Sequence, residues 1–344
     1  MAKQYTCTLT LPNGKRKYFR GATKKEAEKK RDEAKREIDR GLDLSQSLTV
    51  AEFVDLWLRE YKDGVIHDTS YMTYETMLRC YVLPEIGRLK IKDVKPAHIQ
   101  RMMRAMEDKS RGTQARTLTL VRSMFKSAVE NDLILKNPCV SSIRPRGEDT
   151  EEKMPLTPEQ EDLLLEKAKG TDMYLFVRIG LAAGLRHGEL VGLQWQDFNF
   201  ETGVLSVQRS VVRTRENRSG VLSGDMKTAA AHRSIPLPWS VIAEVRAEMA
   251  RSNSVYVIPG PDGSHLSLST SSQRWERMVK GLPFHATPHQ MRHTRITRWF
   301  EQGLDIKEIQ YLAGHTTAQV TLEIYTHYQA ETRIQETARK IQAM

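Results

Sequence analysis

The feature that most limits how this chain can fold is an interruption. Asn137-Pro138, and then Arg144-Pro145-Arg146-Gly147-Glu148-Asp149-Thr150-Glu151-Glu152, break a helical pattern with proline and mixed charge, the composition of an exposed linker. A chain of 344 residues cut there holds two or three domains, each long enough to bury its own core. Hydrophobic residues make up 39% and charged residues 28%, which excludes disorder as the general state. No run approaches the roughly 18–20 apolar residues of a spanning helix, so no membrane partner is expected. The opening MAKQYTCTLT lacks a secretory apolar region, which predicts a cytoplasmic chain. Cys7, Cys80 and Cys139 are far apart, and their spacing predicts free thiols rather than a disulfide or zinc site.

Charge is distributed unevenly. The formal net charge is +10, and residues 1–46 carry 13 Lys/Arg against 7 Asp/Glu, so most of the surplus lies at the N-terminus. Such a surplus favours a polyanionic partner. In the same stretch Tyr5, Cys7 and Leu9 alternate with Thr6, Thr8 and Thr10, a half-buried strand. Asn13-Gly14 is a hairpin signal, and Lys15-Arg16-Lys17-Tyr18-Phe19-Arg20 follows as a basic second strand. Thr23 and Glu26 form a capping box for a charged helix from Lys24 to Arg40, able to pack through Ala27, Ala34 and Ile38. Alone, that helix is as well explained by a solvated face. Beside a two-stranded ribbon that fits the major groove, it tilts the reading toward DNA, with Lys15, Arg16, Lys17 and Arg20 as contacts.

After a polar break at 41–47, Thr49 and Glu52 cap a new helix, and helical periodicity recurs in 72–81, 98–106 and 114–129. A bundle of four to five helices is expected, with Met102, Met103, Met106 and Met124 as core filler. Beyond the linker, Thr157-Pro158-Glu159-Gln160 opens a third domain with a cap and proline at the first helical position. Helices dominate it apart from one β patch, 203–213, whose expected partner is 232–237.

The third domain also carries the chemistry. Thr287-Pro288-His289-Gln290 reads as an N-cap, N1 proline and capping-box Gln, so His289 and Arg292, at i and i+3, share a face near a helix N-terminus that favours anions. His289 and His293 stand at zinc-helix spacing, but the Glu of the zinc motif and a third ligand are missing. Arg186 follows the small residues Ala182, Ala183 and Gly184, a packing site that would half-bury its guanidinium, and Glu189 is its nearest available anion; a plain intrahelical pair would explain both. Asp305 caps a helix that stops at Gly314, and His315 follows. Val320 and Ile324 could share a buried helical face around Tyr325, for which Tyr311 and Tyr328 are rivals.

In this order Arg186, Lys227, His289-x-x-Arg292, His315 and Tyr325 closely resemble the tyrosine site-specific recombinases, the phage and mobile-element integrases and their relatives. Motifs carry the resemblance over about residues 155–330. It alone singles out Lys227, as the family's β-hairpin lysine. The implied architecture is multidomain and mainly α with small β elements: an arm-type DNA-binding domain at 1–46 with a three-stranded sheet and a helix, a helical SAM-like core-binding domain at 48–145, and a mixed α/β catalytic domain at 153–344 with a C-terminal tail.

The resemblance also implies the reaction. Arg186 and Arg292 would donate paired hydrogen bonds to a phosphodiester, with Glu189 in support. Tyr325 would attack as its proton passes to His289, Lys227 would protonate the departing 5′-oxygen, and His315 would touch phosphate or steady the tyrosine. A 3′-phosphotyrosine conserves the ester bond, so no cofactor, metal or nucleotide is implied. Implied partners are double-stranded DNA at core-type and arm-type sites, a homo-tetramer on that DNA, and a host bending factor and excisionase, with the chain nucleoid-associated. The apolar stripe Ile334, Ala338 and Ile341 could dock on a neighbouring protomer or on its own domain. A type IB topoisomerase and a noncatalytic DNA-binding regulator on the same fold remain as alternatives.

Overall fold

Strict alternation at the N-terminus builds an antiparallel pair, β1 (Tyr5–Thr10) and β2 (Arg16–Gly21), in which Thr6 faces Arg20 and Thr10 faces Arg16. The computed structural model describes residues 4–10, 14, 16–39, 48–149, 154–224, 232–322 and 341–342, with the backbone alone at 37–39. Helix α1 (Lys24–Asp39) packs on both strands through buried Ala27 and Ala34. Tyr5, Cys7, Leu9, Lys17 and Phe19 are half-buried, while Thr6, Thr8, Thr10, Arg16, Tyr18 and Arg20 are exposed on the other face. Period 2 therefore puts Lys17 on the opposite face from Arg16 and Arg20. The sheet has two strands among the described residues. Lys15 and the side chain of Ile38 lie outside them.

The chain divides into two units, Met1–Glu151 and Glu152–Met344. In the first, the Thr49–Glu52 capping box is formed in both directions, and α2 (Val50–Tyr61) follows with Phe53, Val54, Trp57 and Leu58 buried. Next come α3 (Asp68–Met77), a widened π turn (Leu78–Val82) and α4 (Leu83–Ile86). The widening falls where the ring of Pro84 would press on the carbonyl four residues back, the usual cost of proline inside a helix. Helices α5 (Pro96–Arg104) and α6 (Arg111–Glu130) complete the bundle, and all four expected core methionines are buried. The linker begins tied down: Arg146 N donates to Gln114 Oε1 at 2.9 Å, and Arg111 N to Glu148 O at 2.8 Å.

The second unit starts at the expected Thr157–Gln160 capping box with α7 (Pro158–Ala168), then α8 (Tyr174–Ala183) and α9 (His187–Val191). Helix α8 is buried along most of its length, and a Cβ at Gly180 would stand 2.7 Å from Met291 Cε. Strands β3 (Phe198–Asn199) and β4 (Val204–Val207) lead to β5 (Ser210–Val212), β6 (Val221–Ser223) and β7 (Arg233–Pro236). The single β patch expected at 203–213 is in fact two sheets, β3-β4-β7 and β5-β6. Arg209 explains the break, because its guanidinium leaves the strand to grip buried Asp197 at 2.6 and 2.7 Å. Helices α10 (Trp239–Met249), α11 (Leu268–Val279), α12 (Pro288–Glu301) and α13 (Ile306–Ala313) close the unit, with α12 packed along α8. No helix among the described residues is long and apolar enough to cross a membrane.

Candidate active site

Three arginines converge on the C-terminal end of α13. That helix begins at a complete Asp305–Glu308 capping box and stops at Gly314, whose left-handed backbone (φ 65°) is the expected cap. A helix end leaves its last carbonyls without intrahelical partners and gathers partial negative charge. Here three consecutive carbonyls each accept from a different guanidinium: Leu312 O from Arg233 Nε at 2.7 Å, Ala313 O from Arg292 Nη2, and Gly314 O from Arg186 Nη2.

Helix α8 supplies the other wall. It ends at Gly184, also left-handed (φ 62°), whose carbonyl accepts from Arg292 Nη1 at 2.9 Å. Two residues on, Arg186 is the N-cap of α9 and Glu189 stands at N3. The carboxylate accepts from Arg186 N at 2.8 Å and from Arg186 Nη1 at 2.9 Å. It also accepts a two-pronged bond from Arg233, Nη1 to Oε1 at 3.1 Å and Nη2 to Oε2 at 2.8 Å. Arg186 keeps 42% of its side chain exposed, against 0% for Arg233 and 2% for Glu189. Burial alone would raise Glu189, but the hydrogen bonds and charge of Arg233, with the charge of Arg186, hold it below the usual carboxylate range. The same burial, with Arg186 and Arg233 nearby, lowers Arg292 to about 9. Its side-chain bonds go to carbonyls, and no carboxylate pairs with it among the described residues.

His315 follows directly. Its ring Nδ1 is 2.8 Å from Thr321 Oγ1, its backbone N donates to Gln310 O, and its carbonyl accepts from Gln310 Nε2, both at 3.1 Å. Burial first, then Arg292 and the other nearby cations, pushes His315 down to about 4, so the ring is neutral at neutral pH. One ring nitrogen is engaged by Thr321, and the other makes no hydrogen bond among the described residues.

His289 lies exposed in the first turn of α12, three residues before buried Arg292, as the spacing requires. Thr287 caps that helix, but the expected capping-box Gln does not reach back. Gln290 donates instead to Met154 O at 2.7 Å, because a tertiary acceptor competes with the local one. Among the described residues no group of three or more His, Cys, Asp and Glu is placed to hold a metal ion. Lys227 and Tyr325 lie outside the described residues, as do Tyr328, Ile324, Ile334 and Ala338. Val320, expected on a buried face, is exposed, and so is Ile341.

Sequence reasoning missed Arg233. Its signal was the alternation Arg233-Ser234-Ile235-Pro236-Leu237, in which period 2 places Arg233 on the same inward face as Ile235 and Leu237.

Residues 155–332 match the model of the phage integrase family, and residues 49–106 match that of the phage integrase N-terminal SAM-like domain. The chain is 29% identical to the tyrosine recombinase XerC-like protein of Caldanaerobacter subterraneus subsp. tengcongensis, over 94% of this chain and 92% of that one. Its fold is similar to that of the Tn1549 transposon integrase in complex with transposon right end DNA, with a TM-score of 0.73 and 26% identity over 85% of this chain and 99% of the other. The lambda integrase tetramer bound to a Holliday junction shares the fold at a TM-score of 0.61 and 17% identity, over 90% of this chain and 93% of the other.

Proposed function

Because the chain belongs to the phage integrase family, the tyrosine recombinases, we propose that the three-arginine site grips one phosphodiester of a mobile element's DNA and that Tyr325 cuts it. The observation that carries this reading is the charge count at the end of α13. Three guanidiniums meet there with one carboxylate, Glu189, which bonds only Arg186 and Arg233, so the site holds positive charge that no described side chain neutralises. A nonbridging phosphate oxygen can replace the Ala313 and Gly314 carbonyls as acceptor for Arg292 and Arg186. Preorganised donors of this kind are each worth about 10²–10³ in rate.

In the proposed step Tyr325 Oη forms a bond to phosphorus as the phosphorus–O5′ bond breaks. The phenolic proton passes to His289, and Lys227 gives a proton to the leaving 5′-oxygen. Neutral His315 donates to a nonbridging oxygen, its tautomer set by Thr321. Prior ionisation of a phenol of ordinary pKa ~10 costs roughly 4 kcal/mol at pH 7, which is why a base during attack matters. The product is a 3′-phosphotyrosine and a 5′-hydroxyl, and a 5′-hydroxyl from another strand reverses the step.

The remaining roles follow the same proposal. Residues 1–46 read arm-type DNA through Lys15, Arg16, Lys17 and Arg20; 48–145 grip core-type DNA; and 153–344 carry catalysis and the tail. Four protomers assemble on DNA, as described for lambda integrase, with a host bending factor and an excisionase as further partners. The test uses nicked duplex oligonucleotides tiled across the DNA that borders the gene. A covalent protein–DNA species should accumulate with the wild type and be absent with Tyr325→Phe. Duplex binding with no adduct from any tile would overturn the reading.

A further inference from the structure

Arg233 belongs to none of the motifs that identify the family site, yet it is as deeply enclosed as Arg292. Its three donating nitrogens are all used: Nη1 and Nη2 on the two oxygens of Glu189, and Nε on Leu312 O. The residue thus joins strand β7 to α9 and to the end of α13.

Electrostatics gives that junction a consequence for Arg186. A buried carboxylate facing one guanidinium forms a neutral pair and cancels the charge meant for a ligand. Glu189 instead shares each oxygen between the two arginines. Oε1 takes Arg186 Nη1 and Arg233 Nη1, and Oε2 takes Arg186 N and Arg233 Nη2. With Arg233 satisfying the carboxylate, the Glu189–Arg186–Arg233 group keeps one net positive charge, and the partly exposed member that can present it is Arg186. The third bond acts on the same site. Leu312 O is the first of the three consecutive carbonyls, so Arg233 also fixes the turn from which Ala313 O and Gly314 O meet Arg292 and Arg186.

We infer that Arg233 is a positioning residue for strand cleavage, which takes up the charge of Glu189 so that Arg186 stays cationic toward the phosphate. The inference rests on the proposed reading of the site. Lysine keeps the formal charge at this position but cannot span both carboxylate oxygens and a carbonyl, so part of the Glu189 charge is left to bear on Arg186.

The test is single-turnover formation of the covalent adduct at saturating DNA, on the oligonucleotide that the wild type cleaves, with rates expressed per folded molecule. Arg233→Lys is expected to cleave at least about tenfold more slowly while its DNA dissociation constant stays within about twofold, the split of a residue acting on the step rather than on binding. On the same oligonucleotide with a neutral methylphosphonate at the scissile position, the defect should shrink to about threefold or less, because less negative charge then needs an answer. Packing support alone would slow both substrates equally, and that result, or a wild-type rate for Arg233→Lys, overturns the inference. If Arg233→Lys does not fold, the comparison moves to Arg233→Met and the double variant Arg233→Met with Glu189→Gln. The double variant removes the stray carboxylate charge as well and should cleave about tenfold faster than Arg233→Met alone; equal rates would refute the role. Absence of any adduct from the wild type refutes the proposed function instead, so the two failures are distinct.

Discussion

The open face of the N-terminal sheet and the end of α13 are both cationic, and they hold charge in opposite ways. Arg16 and Arg20 project from a two-stranded sheet into solvent beside exposed Tyr18. Water screens such charges, so each contributes little and they act through number and salt dependence. Arg186, Arg233 and Arg292 are few and bound to backbone carbonyls, and the first two share one buried carboxylate. Their desolvation is offset by fixed hydrogen bonds, so the charge presented through Arg186 and Arg292 is worth far more toward an anion. The comparison sets out two proposed jobs: exposed charge for finding DNA, and charge held by hydrogen bonds for acting on one phosphate.

Substitutions should part the two regions by size and by kind. Arg292→Ala is expected to have the largest effect, slowing adduct formation by about 10²–10³ at saturating DNA with little change in affinity. A variant that lost affinity and kept its cleavage rate would break the contrast. Acid should act next, and on the second unit. Burial lowers His187, which bonds Ser271 Oγ at 2.8 Å, to about 4, and His315 likewise to about 4. Both folded-state values lie below the ordinary ~6.5, so the unfolded chain takes up protons that the folded one refuses. Stability is fully present above about pH 6.5 and falls as pH drops toward about 4, by up to roughly 3 kcal/mol for each ring. Urea unfolding across that window measures it, and His187→Asn should flatten the slope by one proton.

Gly184→Ala tests the geometry that presents a carbonyl to Arg292. A Cβ there would sit 3.2 Å from Arg295 Cβ on a left-handed backbone, so a loss of about 1–2 kcal/mol is expected from thermal unfolding. The smallest effect belongs to the open face. Arg16→Ala and Arg20→Ala should each reduce the slope of log affinity against log salt by about 0.9 on arm-type DNA, with the cleavage rate at saturation unchanged.

Local chemistry was legible in the sequence where no distant group competes. The caps at Thr49, Thr157 and Asp305 and the stop at Gly314 all form, because their partners lie within a few residues. Gln290 fails the same test, since Met154 O offers a tertiary alternative. The second sheet was hidden for a related reason: the pairing of Arg209 with Asp197 is invisible in the run of β-forming residues around it. The site divides likewise. Arg186, Glu189, Arg292 and His315 could be named from spacing and resemblance, whereas Arg233 looks like any other arginine until packing brings residues 233 and 312 together.

The most direct test is to identify the amino acid that holds DNA. The covalent species is digested with trypsin and nuclease, and the modified peptide is sequenced by mass spectrometry. The expected result is a nucleotide 3′-phosphate on Tyr325, with a free 5′-hydroxyl on the released strand. Attachment at Tyr311 or Tyr328, or hydrolysed ends with no protein attached, would contradict it.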